Sequence, residues 1–115
     1  MKKILVVDDD EDILEIVKYI LISHGFDVYT HSTSFNVSEV VMYYHPNLIL
    51  LDISLRGKSG TQICKELKQI NTIPIILVSA YADQAEALAE CHADAFIEKP
   101  FGINSLVNAI NLQLN

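Results

Sequence analysis

A chain of 115 residues, half of them hydrophobic, is long enough for one domain with its own core and too short for two. Its hydrophobic runs fall well short of the roughly 20 residues that a membrane-spanning helix needs. We expect no secretory signal, because acids follow the first short run. The net charge of -7 argues against direct binding of nucleic acid, whose phosphates require clustered lysine and arginine. Together these features predict a cytoplasmic protein without a membrane partner.

Five short segments rich in aliphatic and β-branched residues are predicted to be β-strands. The first, third and fourth are hydrophobic almost throughout, which is typical of strands covered on both faces of a parallel sheet. The predicted strands cover residues 2–7, 26–31, 48–52, 74–78 and 95–97.

Hydrophobic residues at helical spacing predict a helix after each strand. These helices cover residues 11–24, a segment that starts after Ser34 or Asn36 and ends before Pro46, and residues 60–70, 83–91 and 104–114. The faces expected to pack on the sheet include Ile13, Ile16, Val17, Ile20 and His24 in the first helix and Ile63, Leu67 and Ile70 in the third.

Strand and helix alternate five times with short connections, and right-handed crossovers turn this order into a three-layer α/β sandwich. There is no repeat, low-complexity segment or linker, so residues 1–115 are expected to form a single domain. Two widely separated cysteines, Cys64 and Cys91, are expected to be small buried residues and not a disulfide or metal site.

Polar residues stand at the carboxyl ends of four predicted strands. Because parallel strands place these ends on one edge of a sheet, the side chains should form a common pocket of three carboxylates, a hydroxyl and an ammonium. The residues are Asp8 and Asp9 after the first strand, Asp52 at the end of the third, Ser79 after the fourth and Lys99 after the fifth.

Three carboxylates in one pocket repel one another, and a hard divalent cation relieves the repulsion. Oxygen ligands with room for water suit Mg²⁺. A cation, an ammonium and a hydroxyl are also the groups that bind a phosphoryl group. One of the carboxylates can attack such a group and form an acyl phosphate.

Four short segments carry a family resemblance when they occur in this order and spacing. They are Ile4-Leu5-Val6-Val7-Asp8-Asp9, Leu48-Ile49-Leu50-Leu51-Asp52, Leu77-Val78-Ser79-Ala80 and Phe96-Ile97-Glu98-Lys99-Pro100-Phe101. Each segment is weak alone, but together they resemble the response-regulator receiver domain of two-component signalling. The resemblance covers the chain from end to end.

This resemblance implies that Asp52 is the phosphoacceptor, which receives phosphate from a histidine kinase or a phosphotransfer protein. It also implies that Asp8 and Asp9 hold Mg²⁺, with Asp52 and the backbone carbonyl of Ser54 completing the protein ligands.

The resemblance also implies roles for three further residues. Lys99 would contact the phosphoryl oxygens, and Ser79 would be the switch hydroxyl. Phe96 would be the aromatic residue that changes rotamer when Ser79 moves. The Lys99-Pro100 bond is expected to be cis, because the turn must bring Lys99 over the pocket and an X-Pro bond has only a small trans preference.

The implied fold is a doubly wound, flavodoxin-like (βα)5 sheet with strand order 2-1-3-4-5. The chain would be a switch with autophosphorylation and autodephosphorylation chemistry, and not an enzyme for an external metabolite. Its output face would consist of the short helix at 83–91, the fifth strand and the last helix. This face would bind a downstream protein or a second copy of the chain.

Three departures from the family pattern are expected to leave the phosphorylation chemistry untouched and to affect only the output surface. Arg56 stands where the family usually has proline, so the loop after Asp52 is expected to be more mobile or to use Arg56 in contacts. His92 stands where glycine usually ends a helix. The segment between Ser79 and Asp94 is about two residues shorter than usual.

Three alternative functions fit the sequence less well. A Mg²⁺-dependent aspartyl-phosphate phosphohydrolase requires a second acid at the position of Ser54. A flavodoxin-like nucleotide binder requires a glycine-rich loop where this chain has acids. A degenerate receiver used only for docking would not need the full set of acidic, hydroxyl and lysine residues.

Overall fold

The computed structural model of the chain describes residues 1–80 and 89–115, and within them five strands form one parallel sheet. The strands are β1 (Lys3–Val7), β2 (Asp27–His31), β3 (Leu48–Asp52), β4 (Ile75–Ser79) and β5 (Ala95–Glu98). Their order is β2-β1-β3-β4-β5, which confirms the implied topology. β3 pairs with β1 on one side and β4 on the other, and all five of its residues are buried.

Helices cover both faces of this sheet. They are α1 (Glu11–Ser23), α2 (Val37–Tyr44), α3 (Gly60–Ile70) and the C-terminal helix (Ile103–Leu114). Residues 89–91 are also helical, whereas the rest of the helix predicted at 83–91 lies outside the described residues. Among the helices of the described ranges, none has the length and hydrophobicity required to cross a membrane.

The ends of α1 follow the signals in its sequence. Asp10 accepts hydrogen bonds from the backbone N–H groups of Asp12 at 3.0 Å and Ile13 at 3.3 Å, and so caps the first turn. Gly25, just beyond the helix, has a φ of 89°, a left-handed conformation that glycine adopts without strain. His92, which directly follows the helical residues 89–91, adopts a left-handed φ of 60°.

Alternate residues of each central strand enter separate hydrophobic clusters on the two faces of the sheet. Leu5 and Val7 of β1 belong to the cluster under α2 and α3. Ile4 and Val6 belong to the cluster under α1 and the C-terminal helix. The carboxyl ends of the strands are therefore held on a frame that is packed from both sides.

The prediction of which sides of α1 and α3 pack on the sheet is wrong in part. Ile16 is 60% exposed and Ile70 is 64% exposed, and His24 is exposed just beyond the end of α1. Ile13 and Ile20 are only partly buried. Since α1 is hydrophobic on more than one side, spacing alone does not select the side that packs on the sheet. The buried side chains are Leu14, Val17 and Leu21 in α1 and Ile63, Cys64 and Leu67 in α3.

Candidate functional site

The carboxyl ends of the central strands bring the predicted polar residues to one edge of the sheet. Asp52 is the last residue of β3, Ser79 is the last of β4, and Asp8 directly follows β1. These three residues are only 2–5% exposed. A carboxylate buried to this extent requires a charged or hydrogen-bonding partner.

Lys99 provides that partner from the residue after β5. Its Nζ donates to Oδ2 of Asp8 at 3.0 Å and to Oδ2 of Asp52 at 3.4 Å. Its backbone N–H donates to the carbonyl oxygen of Ser79 at 3.1 Å. The Lys99-Pro100 peptide bond is cis, as predicted. One ammonium thus joins carboxylates that come from two different strands.

The electrostatics of this group shift two pKa values. Burial raises the pKa of Asp52, and the neighbouring charge of Asp8 adds to the rise, whereas the N–H of Ser54 and the ammonium of Lys99 oppose it. Burial alone would lower the pKa of Lys99, but the hydrogen bonds and charges of Asp8 and Asp52 outweigh it and raise this pKa. The ammonium is therefore held charged beside a carboxylate whose charged form is less stable than usual.

The backbone after Asp52 is fixed by two close contacts. The N–H of Ser54 donates to Oδ1 of Asp52 at 3.2 Å, and the N–H of Gly60 donates to the carbonyl oxygen of Ile53 at 2.9 Å. A Cβ at Gly60 would overlap the carbonyl oxygen of Asp52 and would lie 2.7 Å from Cα of Ile53. The start of α3 can therefore pack directly on the end of β3 only because residue 60 is glycine.

Asp9 lies at the rim of the pocket, with a side chain that is 25% exposed. Its Oδ2 accepts the backbone N–H of Arg56 at 3.2 Å, and Nε of Arg56 lies 3.9 Å from the same oxygen. This contact corrects the expectation that residue 56 lies outside the phosphorylation chemistry, because it places a donor on a predicted metal ligand. The backbone contact was not predicted, because a main-chain donor leaves no mark on the side-chain pattern. The only signal was the arginine itself, in a place where proline would have no N–H.

The acidic residues fit the divalent cation that the family resemblance implies. Asp8, Asp9 and Asp52 each offer a carboxylate oxygen, and these oxygens lie within 4.8 Å of one another. Oxygen-only ligands with three negative charges suit a hard cation such as Mg²⁺. Ser54, whose carbonyl is the fourth predicted ligand, lies two residues after Asp52 in the loop that leads to α3.

The two predicted switch residues occupy neighbouring strands. Phe96 of β5 stands opposite Leu77 of β4, is partly buried, and packs against the hydrophobic cluster under α2 and α3. Ser79 stands opposite Glu98, two residues further along β5. A displacement at Ser79 would therefore occur within one strand spacing of the segment that carries Phe96.

Several known proteins resemble the chain in sequence and fold. A family model for the response regulator receiver domain matches residues 4–111. The BeF3-activated N-terminal receiver domain of RstA from Klebsiella pneumoniae is 28% identical with a TM-score of 0.94, and 99% of each chain is covered. The N-terminal domain of the nisin resistance regulator NsrR is 32% identical with a TM-score of 0.89, over 100% of this chain and 99% of that one. A CheY-like receiver domain protein from Methanospirillum hungatei is 31% identical with a TM-score of 0.93, over 99% and 94% of the two chains.

Proposed function

Since the chain belongs to the response regulator receiver domain family of two-component signalling, we propose that it accepts a phosphoryl group on Asp52 and acts as a switch. The donor is a histidine kinase or a phosphotransfer protein, which carries the phosphoryl group on an imidazole nitrogen. The proposed site of action is the cytoplasm. The chain changes its own state and does not turn over an external metabolite.

The observation that carries this proposal is the ammonium shared by two buried carboxylates. Nζ of Lys99 lies 3.0 Å from Oδ2 of Asp8 and 3.4 Å from Oδ2 of Asp52. A purely structural ion pair needs only one carboxylate, and a second buried one adds repulsion. Such an arrangement is expected where a further cation and a phosphoryl group bind between these side chains.

In the proposed transfer, a carboxylate oxygen of Asp52 attacks the phosphorus atom of the donor. A new P–O bond forms, the P–N bond breaks, and its electron pair stays with the imidazole nitrogen. Lys99 stabilises the negative charge on the phosphoryl oxygens. Water later attacks the same phosphorus atom and breaks the acyl phosphate P–O bond, which releases inorganic phosphate and restores Asp52.

The proposed Mg²⁺ ligands are the carboxylates of Asp8, Asp9 and Asp52 and the backbone carbonyl of Ser54. A bound Mg²⁺ supplies positive charge that neutralises the phosphoryl oxygens. The ammonium of Lys99 compensates only one of the three carboxylate charges. The side chains alone would therefore repel an incoming phosphoryl group.

Ser79 and Phe96 are the proposed link between Asp52 and the output. Phosphorylation adds negative charge and acceptor oxygens at Asp52, whose partner in the sheet register is Val78, the residue before Ser79. The hydroxyl of Ser79 moves to donate to these oxygens, and Phe96 turns into the space that is left. The output face comprises β5, the C-terminal helix and the helix predicted at 83–91, most of which lies outside the described residues. It binds a downstream protein or a second copy of the chain and does not bind nucleic acid directly.

Intact-mass spectrometry after incubation with acetyl phosphate and Mg²⁺ tests the phosphorylation. We expect the wild type to gain one phosphoryl group and Asp52→Asn to gain none. Asp12→Asn is the matched control, because it makes the same change at an exposed residue in the first turn of α1. Phosphorylation of Asp52→Asn to the wild-type level would refute the proposal.

A further inference from the structure

A single buried hydroxyl joins the loop before α2 to the loop after β3. Ser34 is only 6% exposed, although its neighbours Thr33 and Phe35 are exposed. Its Oγ donates to the carbonyl oxygen of Arg56 at 2.7 Å and accepts the backbone N–H of Lys58 at 3.2 Å. The hydroxyl therefore acts as a donor to one side of the turn at residues 56–58 and as an acceptor from the other.

A glycine in this turn leaves space for the hydroxyl of Ser34. Gly57, at its centre, has a φ of 86°, and a Cβ there would lie only 2.9 Å from Oγ of Ser34. The loop that carries Ser34 is itself braced, since Nε2 of His31 lies 2.6 Å from the carbonyl oxygen of Phe35. Hydrogen bonds within the protein therefore fix both the turn at residues 56–58 and the loop that carries Ser34.

The first residue of the same turn contacts the proposed metal ligand. The N–H of Arg56 donates to Oδ2 of Asp9 at 3.2 Å. The side chain of Arg56 is 96% exposed and its Nε is 3.9 Å away, so its charge contributes little. A hydrogen bond to a ligating carboxylate fixes the orientation of that ligand.

We infer that Ser34 is a positioning residue for the metal site: it holds the amide of Arg56 on Asp9 and so orients this carboxylate for a divalent cation. The inference rests on the proposed function, because it takes Asp9 as a metal ligand. It applies to this chain because residue 56 has a backbone donor, which a proline at that position would lack.

The expected effect follows from the number of contacts that separate Ser34 from Asp9. Loss of a group that hydrogen-bonds directly to a metal ligand typically lowers metal affinity about 10- to 100-fold. Ser34 acts one contact further away. We therefore expect Ser34→Ala to weaken Mg²⁺ binding by about three- to tenfold.

Titration of the ¹⁵N-labelled chain with Mg²⁺, followed by NMR, measures this effect. The amide shifts give the Kd, and the Arg56 amide shift before Mg²⁺ is added reports its hydrogen bond to Asp9. Ser59→Ala is the matched control, because it removes the same atom from the loop after β3, which also carries Arg56. Its hydroxyl accepts the N–H of Gln62 at 3.3 Å and caps α3. We expect this control to lose stability but to keep its Kd within about twofold of the wild type.

Each result bears on the inference separately from the proposed function. A wild-type Kd and an unmoved Arg56 amide in Ser34→Ala overturn the inference and leave the proposed function intact. Absence of Mg²⁺ binding in the wild type overturns both the proposed metal site and the inference. If Ser34→Ala does not fold, hydrogen exchange in the wild type decides the matter. Exchange of the Arg56 and Lys58 amides at free-chain rates would then overturn the inference.

Discussion

Replacement of Lys99 by methionine should destabilise the chain strongly when no divalent cation is present. The substitution keeps a long side chain but removes the charge that lies between two buried carboxylates. Asp8 and Asp52 each have a side chain that is 6% exposed, and Lys99 itself is 20% exposed. Without the ammonium, two negative charges remain in the pocket with no cation beside them.

The distances set the size of the effect. At an effective dielectric constant of about 20, charges 3.0 Å and 3.4 Å apart attract each other by roughly 5 kcal/mol per pair. Removal of three charged groups from water offsets much of this attraction. Loss of one partner of a buried ion pair typically costs about 3–5 kcal/mol. Because Lys99 is partly exposed, we expect Lys99→Met to lower the free energy of unfolding by about 3 kcal/mol.

The loss should also depend on pH. In the folded chain the pKa of Asp52 already lies above its ordinary value, and the loss of Lys99 removes a charge that lowers it. As pH falls, the folded state therefore takes up a proton at Asp52 before the unfolded state does. Protonation removes the repulsion with Asp8. The stability difference between the variant and the wild type should accordingly narrow at mildly acidic pH.

Urea unfolding in EDTA, at neutral and at mildly acidic pH, measures both effects. Lys58→Met is the matched control, because Lys58 pairs with Glu66 at 2.7 Å while both side chains are about half exposed. We expect this control to lose less than about 1 kcal/mol. If Lys99→Met lost no more stability than Lys58→Met, the ammonium would not be what stabilises the two buried carboxylates.

Three further predictions concern the metal, the packing of α3 and the output. Mg²⁺ should raise the Tm of the wild type and of the control Asp12→Asn by mass action, whereas an equal rise in Asp9→Asn would count against the metal site. Gly60→Ala should destabilise the chain by about 2 kcal/mol or more in urea unfolding, because its Cβ would overlap the end of β3. Gly102→Ala, whose Cβ would meet nothing within 4 Å, should lose clearly less. Beryllofluoride should change hydrogen exchange from β4 through the C-terminal helix, and a change limited to the loop after β3 would contradict the proposed output face.

The positions of the site residues could be predicted because the strands that carry them allow little choice. Leu48 to Leu51 are large and hydrophobic without interruption, a pattern that a strand in the centre of a covered sheet accommodates. Asp52 therefore had to stand at the carboxyl edge of that sheet. The hydrophobic run before Ser79 predicts its position in the same way, and parallel pairing places Asp52 opposite Val78, the residue before Ser79.

The features that could not be predicted depend on tertiary contacts. Ile16 and Leu14 are equally good candidates for the inner side of α1, and only the sheet decides between them. The contact of Arg56 with Asp9 uses a backbone donor, which is the same in almost every residue type. Serine is a common residue in exposed loops, so nothing in the sequence marks Ser34 as buried. Its burial follows from the approach of two loops that are distant in sequence.

The proposed switch requires that Asp52 forms an acyl phosphate. Borohydride reduces the intact acyl phosphate on an aspartate to homoserine and releases phosphate. Homoserine is stable, so it marks the residue that carried the phosphoryl group. We predict that treatment with acetyl phosphate and Mg²⁺, followed by borohydride and peptide mapping, will place homoserine at residue 52 and nowhere else. Homoserine at residue 8 or 9, or an unmodified Asp52 in a chain that has gained a phosphoryl group, would show that Asp52 is not the phosphoacceptor.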